Sequence, residues 1–199
     1  MTFLLTVEGL QSTPVTTASF EIAAGECLCI SGRSGSGKTR LLRALADLDP
    51  HTGEIRLSGR RQREIAPNEW RRRVALLPAE AAWWAPTVGE HNRAIDARAL
   101  TCLGLPLDAA SWPVERLSAG EKQRLALLRL TAGRKPDVLL LDEPTANLDP
   151  DSADRAERYL LALAQERCVA MVWVSHDAAQ IDRVGTRAMR IESGRLEIA

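Results

Sequence analysis

No charge of either sign dominates this sequence. Its 199 residues carry 26 lysines plus arginines against 26 aspartates plus glutamates. A global positive field that would draw the chain to nucleic acid or anionic lipid is thereby excluded. The arginine run at Arg60, Arg61, Arg63, Arg71, Arg72 and Arg73 is broken by Glu64 and Glu69 and reads as solvated surface. No uninterrupted apolar segment reaches the ~20 residues a membrane helix needs. The start, MTFLLTVEGLQ, has neither the basic region nor the apolar length of a signal peptide. The chain is therefore expected in the cytoplasm. Cys27, Cys29, Cys102 and Cys168 lack C-x-x-C and paired metal spacing, so all four read as reduced packing residues. His51 and His91 read as surface residues. No repeat, low-complexity tract or long linker is found.

What the chain does have is alternation. The apolar runs CLCIS (27–31), VALL (74–77), VLLL (138–141) and AMVWVS (170–175) predict strands covered on both faces. Segments 39–48, 121–133 and 152–166 carry apolar residues at helical spacing. This order predicts an α/β fold with a mostly parallel core sheet. The N-terminal FLLTVEGL and the closing RAMRIESGRLEI, with a turn at Ser193-Gly194, predict an antiparallel β edge. From Ala79 to Arg116 the pattern breaks into short helical pieces around Pro86, Pro106 and Pro113. The expectation is one domain over 1–199, with a short helical lobe at about 79–130 inserted in the core.

GRSGSGKT (32–39) fits G-x-x-x-x-G-K-[ST] directly after a predicted strand and before a predicted helix. Glycines 32, 35 and 37 let the backbone curl so that several N–H groups face one anion. Lys38 suits the β- and γ-phosphates, and the Thr39 hydroxyl suits Mg²⁺. The candidate nucleotide contacts are Gly32, Arg33, Ser34, Gly35, Ser36, Gly37, Lys38, Thr39 and Arg40. VLLLDEP (138–144) sets two carboxylates at a strand end, where a parallel sheet opens toward its ligand. There Asp142 suits the Mg²⁺ shell and Glu143 suits a general base acting on water.

LSAGEKQR (117–124) contains an S-x-x-E capping box, with Ser118 and Glu121 closing a helix start. Capping leaves Gly120 unexplained, whereas an anion at the helix N-terminus would use its bare backbone. With ANLD (146–149) and VSHD (174–177), these five motifs in this order resemble the ATP-binding cassette (ABC) ATPases, a P-loop NTPase family of transporters. The resemblance implies ATP hydrolysis with Mg²⁺, and two copies associated head to tail. The signature Ser118, Ala119, Gly120 and Glu121 and the D-loop Asp149 of one copy then close over the other's ATP. His176 is implied as a γ-phosphate sensor beside Lys38 and Glu143. Asp149 before Pro150 also reads as a helix cap.

The same resemblance implies an integral-membrane permease as partner and a peripheral place on the cytoplasmic face of the inner membrane. The pairing of LSAGEKQR with VWVSHD and the very short lobe further resembles small stand-alone ATPases of bacterial metal (iron) exporters. An ATPase acting on nucleic acid or the ribosome is the alternative. Such relatives typically carry a second cassette, a coiled-coil arm or a zinc insertion, none of which this sequence shows. A third reading is a non-hydrolysing regulatory cassette.

Three departures matter. Ala79 aligns where the family has a metal-facing glutamine, leaving Glu80 or water to take that place. Phe20 is the only aromatic between Val7 and Cys27 and lies too late to stack on adenine, which implies weak discrimination between ATP and GTP. Trp83 and Trp84 follow the altered loop, where packing and a contact with the membrane partner are both open.

Overall fold

The computed structural model describes residues 3–91, 95–133 and 135–199. The first two residues and the part of the expected lobe at 92–94 lie outside them.

The strands are β1 (Leu5–Ser12), β2 (Val15–Ile22), β3 (Cys27–Gly32), β4 (Thr52–Leu57), β5 (Arg60–Arg61), β6 (Val74–Leu77), β7 (Val138–Asp142), β8 (Ala170–Val174), β9 (Arg187–Glu192) and β10 (Arg195–Ile198). The helices are α1 (Lys38–Leu45), α2 (Pro67–Arg73), α3 (Val88–His91), α4 (Ala97–Cys102), α5 (Ala119–Thr131), α6 (Pro150–Arg167) and α7 (Ala178–Val184). Strands join in the order β5-β4-β1-β2-β10-β9-β3-β8-β7-β6.

The run β9-β3-β8-β7-β6 is parallel throughout, and β1, β2, β4 and β5 form an antiparallel arm. The closing segment was expected at the antiparallel edge. Instead β9 lies parallel beside β3, and only its pairing with β10 is antiparallel. The Ser193-Gly194 turn, with φ of 48° and 80°, dictates that local hairpin but not the neighbour it docks against.

Side-chain alternation sends each core strand to two separate cores. Leu28, Ile30, Leu140 and Val172 pack with Leu41, Leu42 and Leu45 of α1 and with the antiparallel arm. Cys27, Cys29, Leu139, Leu141 and Trp173 face the other way, toward Leu125 and Leu128 of α5 and Leu160 of α6. Each buried leucine contributes about 1.5–3 kcal/mol relative to exposure. Trp70 of α2 is fully buried and donates its indole N–H to the Leu45 carbonyl at 2.9 Å, which locks α2 against α1.

Two cysteine readings are corrected. Cys27 and Cys29 are buried as expected, but Cys102 and Cys168 are exposed and do not pack in a core. Cys168 ends α6 at a φ of 55°, a terminus that sequence periodicity does not locate.

Candidate nucleotide site

Three adjacent strands, β3, β8 and β7, end on the same side of the sheet, with Ile30 level with Val174 and Asp142 level with Val174 on its other side. Their parallel register delivers three loops to one place, and a cleft of about 530 Å³ opens there. Lys38, Thr39, Asp142, Glu143 and His176 all line it, together with Gly32, Ser34, Gly35, Gly37 and Arg40.

The loop after β3 is shaped by steric need. Gly37 has a φ of 104°, and a Cβ there would lie 2.7 Å from Val15 Cγ2 and 3.1 Å from Pro14. The β1–β2 hairpin therefore presses directly on the loop. Gly37 also starts α1 without any side-chain cap, and no acidic residue sits in the first turn. The helix thus presents bare N–H groups and a positive partial charge. Ser36 Oγ is buried with no hydrogen-bond partner among the described residues. Lys38 Nζ donates to the Gly32 carbonyl at 2.8 Å and the Arg33 carbonyl at 3.2 Å, so its charge arches over the loop.

Thr39 Oγ1 donates to Asp142 Oδ2 at 2.8 Å. Burial pushes the Asp142 carboxyl above the usual range and the neighbouring Glu143 charge adds to this, while Thr39 and Lys38 oppose it. A buried carboxylate short of positive partners, beside a hydroxyl, suits a hard divalent cation. Among the described residues no three His, Cys, Asp or Glu side chains gather as a metal cluster. Any Mg²⁺ here would complete its shell with phosphate and water.

Glu143 has a φ of 47°, in the left-handed region, and its N–H donates to the Val174 carbonyl at 3.2 Å. That bend brings its Oε2 within 3.4 Å of His176 Nδ1. The His176 side chain is 71 % exposed and that of Glu143 30 %.

Other expected residues sit elsewhere. Arg33 and Ser36 face an adjoining cleft with Pro14 and Arg190. Arg40 reaches the cleft but pairs with Asp49 at 2.8 Å. Ser118, Ala119, Gly120, Glu121 and Asp149 do not line this chain's own cleft. The capping box is present: Glu121 N–H donates to Ser118 Oγ at 3.2 Å, and Ser118 N–H donates to Glu121 Oε2 at 2.8 Å. The Ser118 backbone N–H, joined by its hydroxyl, holds the Glu121 carboxyl below its ordinary range. Asp149 caps α6 by accepting from Ser152 N–H at 3.0 Å.

The fold also supplies a reason for Gly120 that the sequence did not show. A Cβ there would lie 3.3 Å from the Asn147 carbonyl and 3.4 Å from Leu148 Cδ2, so the signature is pressed on the chain's own D-loop. Ala79 and Glu80 are exposed and do not line the cleft. Phe20 is buried in the core, and Pro14 occupies the hairpin tip beside the phosphate loop.

His91, expected at the surface, is instead gripped. Its ring stands edge-on to Trp83 at 4.8 Å and Trp84 at 4.6 Å. Its Nε2 accepts from the Trp84 and Ala85 N–H groups at 2.8 and 3.0 Å, and Nδ1 lies 2.9 Å from the Thr87 carbonyl. Arg129 covers both indoles at 4.8 and 5.0 Å. Nothing in the spacing of these residues announces the cluster.

Comparison with known proteins agrees with this geometry. The family model described as ABC transporter matches residues 15–146. The chain is 38 % identical over 180 residues to the aliphatic sulfonates import ATP-binding protein SsuB 3 of Nocardia farcinica, covering 88 % of this chain and 70 % of that one. It is 38 % identical over 182 residues to the corresponding SsuB protein of Granulibacter bethesdensis, covering 89 % and 73 %. The fold matches a dimeric ATP-binding cassette in a post-hydrolysis state bound to ADP and phosphate, with a TM-score of 0.78, 23 % identity, and coverage of 97 % and 96 %. The chain belongs to the ABC transporter family, as an ATP-binding subunit with that family's ATPase fold and activity.

Proposed function

We propose that two copies of this chain enclose ATP between them and hydrolyse it to drive a separately encoded membrane permease. The observation that carries this reading is the separation of the site into halves. Lys38, Thr39, Asp142, Glu143 and His176 share one cleft, while Ser118, Gly120 and the N-terminus of α5 stand outside it. A second copy placed head to tail supplies the missing half, where the Ser118 hydroxyl and the α5 N-terminus meet the γ-phosphate.

In this reading the loop of residues 32–39 and Lys38 hold the phosphates. Thr39 and Asp142 would hold Mg²⁺, which when bound neutralises phosphate charge. The Glu143 carboxylate accepts a proton from water as the water oxygen bonds to the γ-phosphorus and the bond to the bridging oxygen of ADP breaks. His176 donates toward the γ-phosphate and holds Glu143 in place. Residues 1–199 act as a single ATPase domain with the lobe at about 79–130 as the face toward the permease. No helix of the described residues is long and apolar enough to cross a membrane. Pairing with the permease then gives the chain a peripheral place on the cytoplasmic face of the inner membrane.

The test is ATP turnover per chain as a function of protein concentration, with Glu143→Gln as control. Turnover that rises steeply with concentration and disappears in the control, with ATP still bound, supports the reading. Turnover independent of concentration overturns the shared site. ATP bound without turnover at any concentration, with or without permease, would favour a regulatory cassette.

A further inference from the structure

A buried polar cluster lies behind the cleft, outside the reaction groups. Gln180 of α7 is 6 % exposed. Its Nε2 donates to Thr145 Oγ1 at 2.7 Å and to Glu157 Oε1 at 2.8 Å, and its Oε1 accepts from Trp173 Nε1 at 3.3 Å. Glu157 of α6 is 5 % exposed and takes two more bonds from the Arg183 guanidinium of α7, at 3.0 and 3.1 Å. Burying an amide and a carboxylate is costly unless each polar atom is paired. Apolar side chains of similar volume would hold these helices together at least as well. Packing alone therefore does not account for the choice of residues.

The placement of the cluster does. Thr145 stands two residues beyond Glu143, and Gln180 stands four beyond His176. Helix α7 is tied down directly after His176, because Asp177 Oδ1 accepts from the Ala179 and Gln180 N–H groups and Asp177 N–H donates to Ser175 Oγ at 3.1 Å. The bond from Gln180 to Thr145 thus joins the loop that carries Glu143 to the helix that begins at His176. His176, mostly exposed, has little packing of its own to hold it.

We propose that Gln180 and Thr145 are positioning residues for hydrolysis: their buried hydrogen bond, backed by Glu157 and Arg183, sets the separation between the Glu143 carboxylate and the His176 imidazole. This inference rests on the roles given above to Glu143 and His176. Groups arriving from two loops need a common brace, since a misplacement of about 1 Å costs on the order of a hundredfold in rate.

Thr145→Val removes the hydroxyl and keeps the branched shape, while Thr145→Ser keeps the hydroxyl. Gln180→Met removes the amide at similar length. In the full-length chain, kcat of Thr145→Val is expected to fall roughly 10- to 100-fold. The KM for ATP and the ADP affinity should stay near wild type, the melting temperature should drop by a few degrees because one buried Gln180 N–H loses its acceptor, and Thr145→Ser should restore both kcat and melting temperature. The chain has three histidines, so the His176 ring proton is identified by its loss in His176→Ala. In the ADP-bound protein that resonance should move in Thr145→Val while the other two stay. This readout holds for protein that is silent without its permease.

Glu143→Gln run alongside separates the two ideas. Turnover surviving in Glu143→Gln sinks the hydrolytic assignment itself. Turnover lost in Glu143→Gln but normal in Thr145→Val, with an unmoved His176 signal, overturns the positioning role alone. A kcat loss in Thr145→Val that is matched by lost ADP affinity, and not rescued by serine, also overturns it and assigns the cluster to folding.

Discussion

Gly120 and Asn147 meet so closely that a Cβ on the first would stand 3.3 Å from the carbonyl oxygen of the second. The signature and the D-loop of one chain are therefore in direct contact, and a single methyl at 120 tests whether their fit matters. Gly120 stands in the first turn of α5, where the tight contact offsets the part of alanine's roughly 0.8–1 kcal/mol helix preference that applies, so Gly120→Ala should leave the melting temperature near wild type. Its turnover should fall about tenfold or more through a displaced D-loop. Wild-type turnover in a correctly folded Gly120→Ala protein would show that the contact is slack.

Trp83 and Trp84 differ in burial. Trp83 packs against the core, whereas Trp84 is 74 % exposed. Trp83→Ala should destabilise the chain by about 2–3 kcal/mol, less than a full core deletion. Trp84→Ala should cost only about 1 kcal/mol, through its contacts with His91 and Arg129, yet weaken capture by the permease. Co-purification with the permease and thermal melting together decide between these roles.

The nucleobase should be read weakly. The one aromatic near the hairpin, Phe20, is buried, and Pro14 stands at the tip instead. A missing stacking ring removes about 1–3 kcal/mol. GTP should therefore compete with ATP within about tenfold in affinity. A preference for ATP of several hundredfold in a competition assay would show another group reading the base.

Asp49 gives a pH signature. Arg43, then Arg40, hold its carboxyl at about 2. A carboxyl lowered on folding stabilises the native state above its ordinary range, and that contribution disappears as the pH falls through the lowered value. Asp49→Asn should melt a few degrees lower at pH 7. The gap should close as the pH is lowered from about 4 toward about 2. A gap that stays constant over that range would mean that Asp49 acts through shape and not charge.

The parallel strands were legible because VLLL and AMVWV have no polar residue to place, so burial on both faces is the only consistent reading. β4 was not legible, since TGEIRL mixes charge with apolar residues, and seven-residue α7 is too short for periodicity to show. Arg73, read as solvated surface, closes α2 and pairs with Asp137 at 2.5 Å. Of the candidate cleft, the loop at 32–39, Asp142 and Glu143 were legible from residue types placed at strand ends, and His176 only through the family resemblance of VSHD. Gln180 and Glu157 were not, because a contact spanning 23 residues leaves no local pattern.

The backbone of Glu143 carries a last implication. Left-handed φ is cheap for glycine and costs an ordinary residue about 1 kcal/mol or more. Folding alone would welcome glycine at 143. On the base role proposed for Glu143, a lineage released from the need to hydrolyse would drift toward that substitution, gaining stability as it lost turnover. Among homologous chains, glycine at this bend would mark those that have kept the shape and given up the reaction.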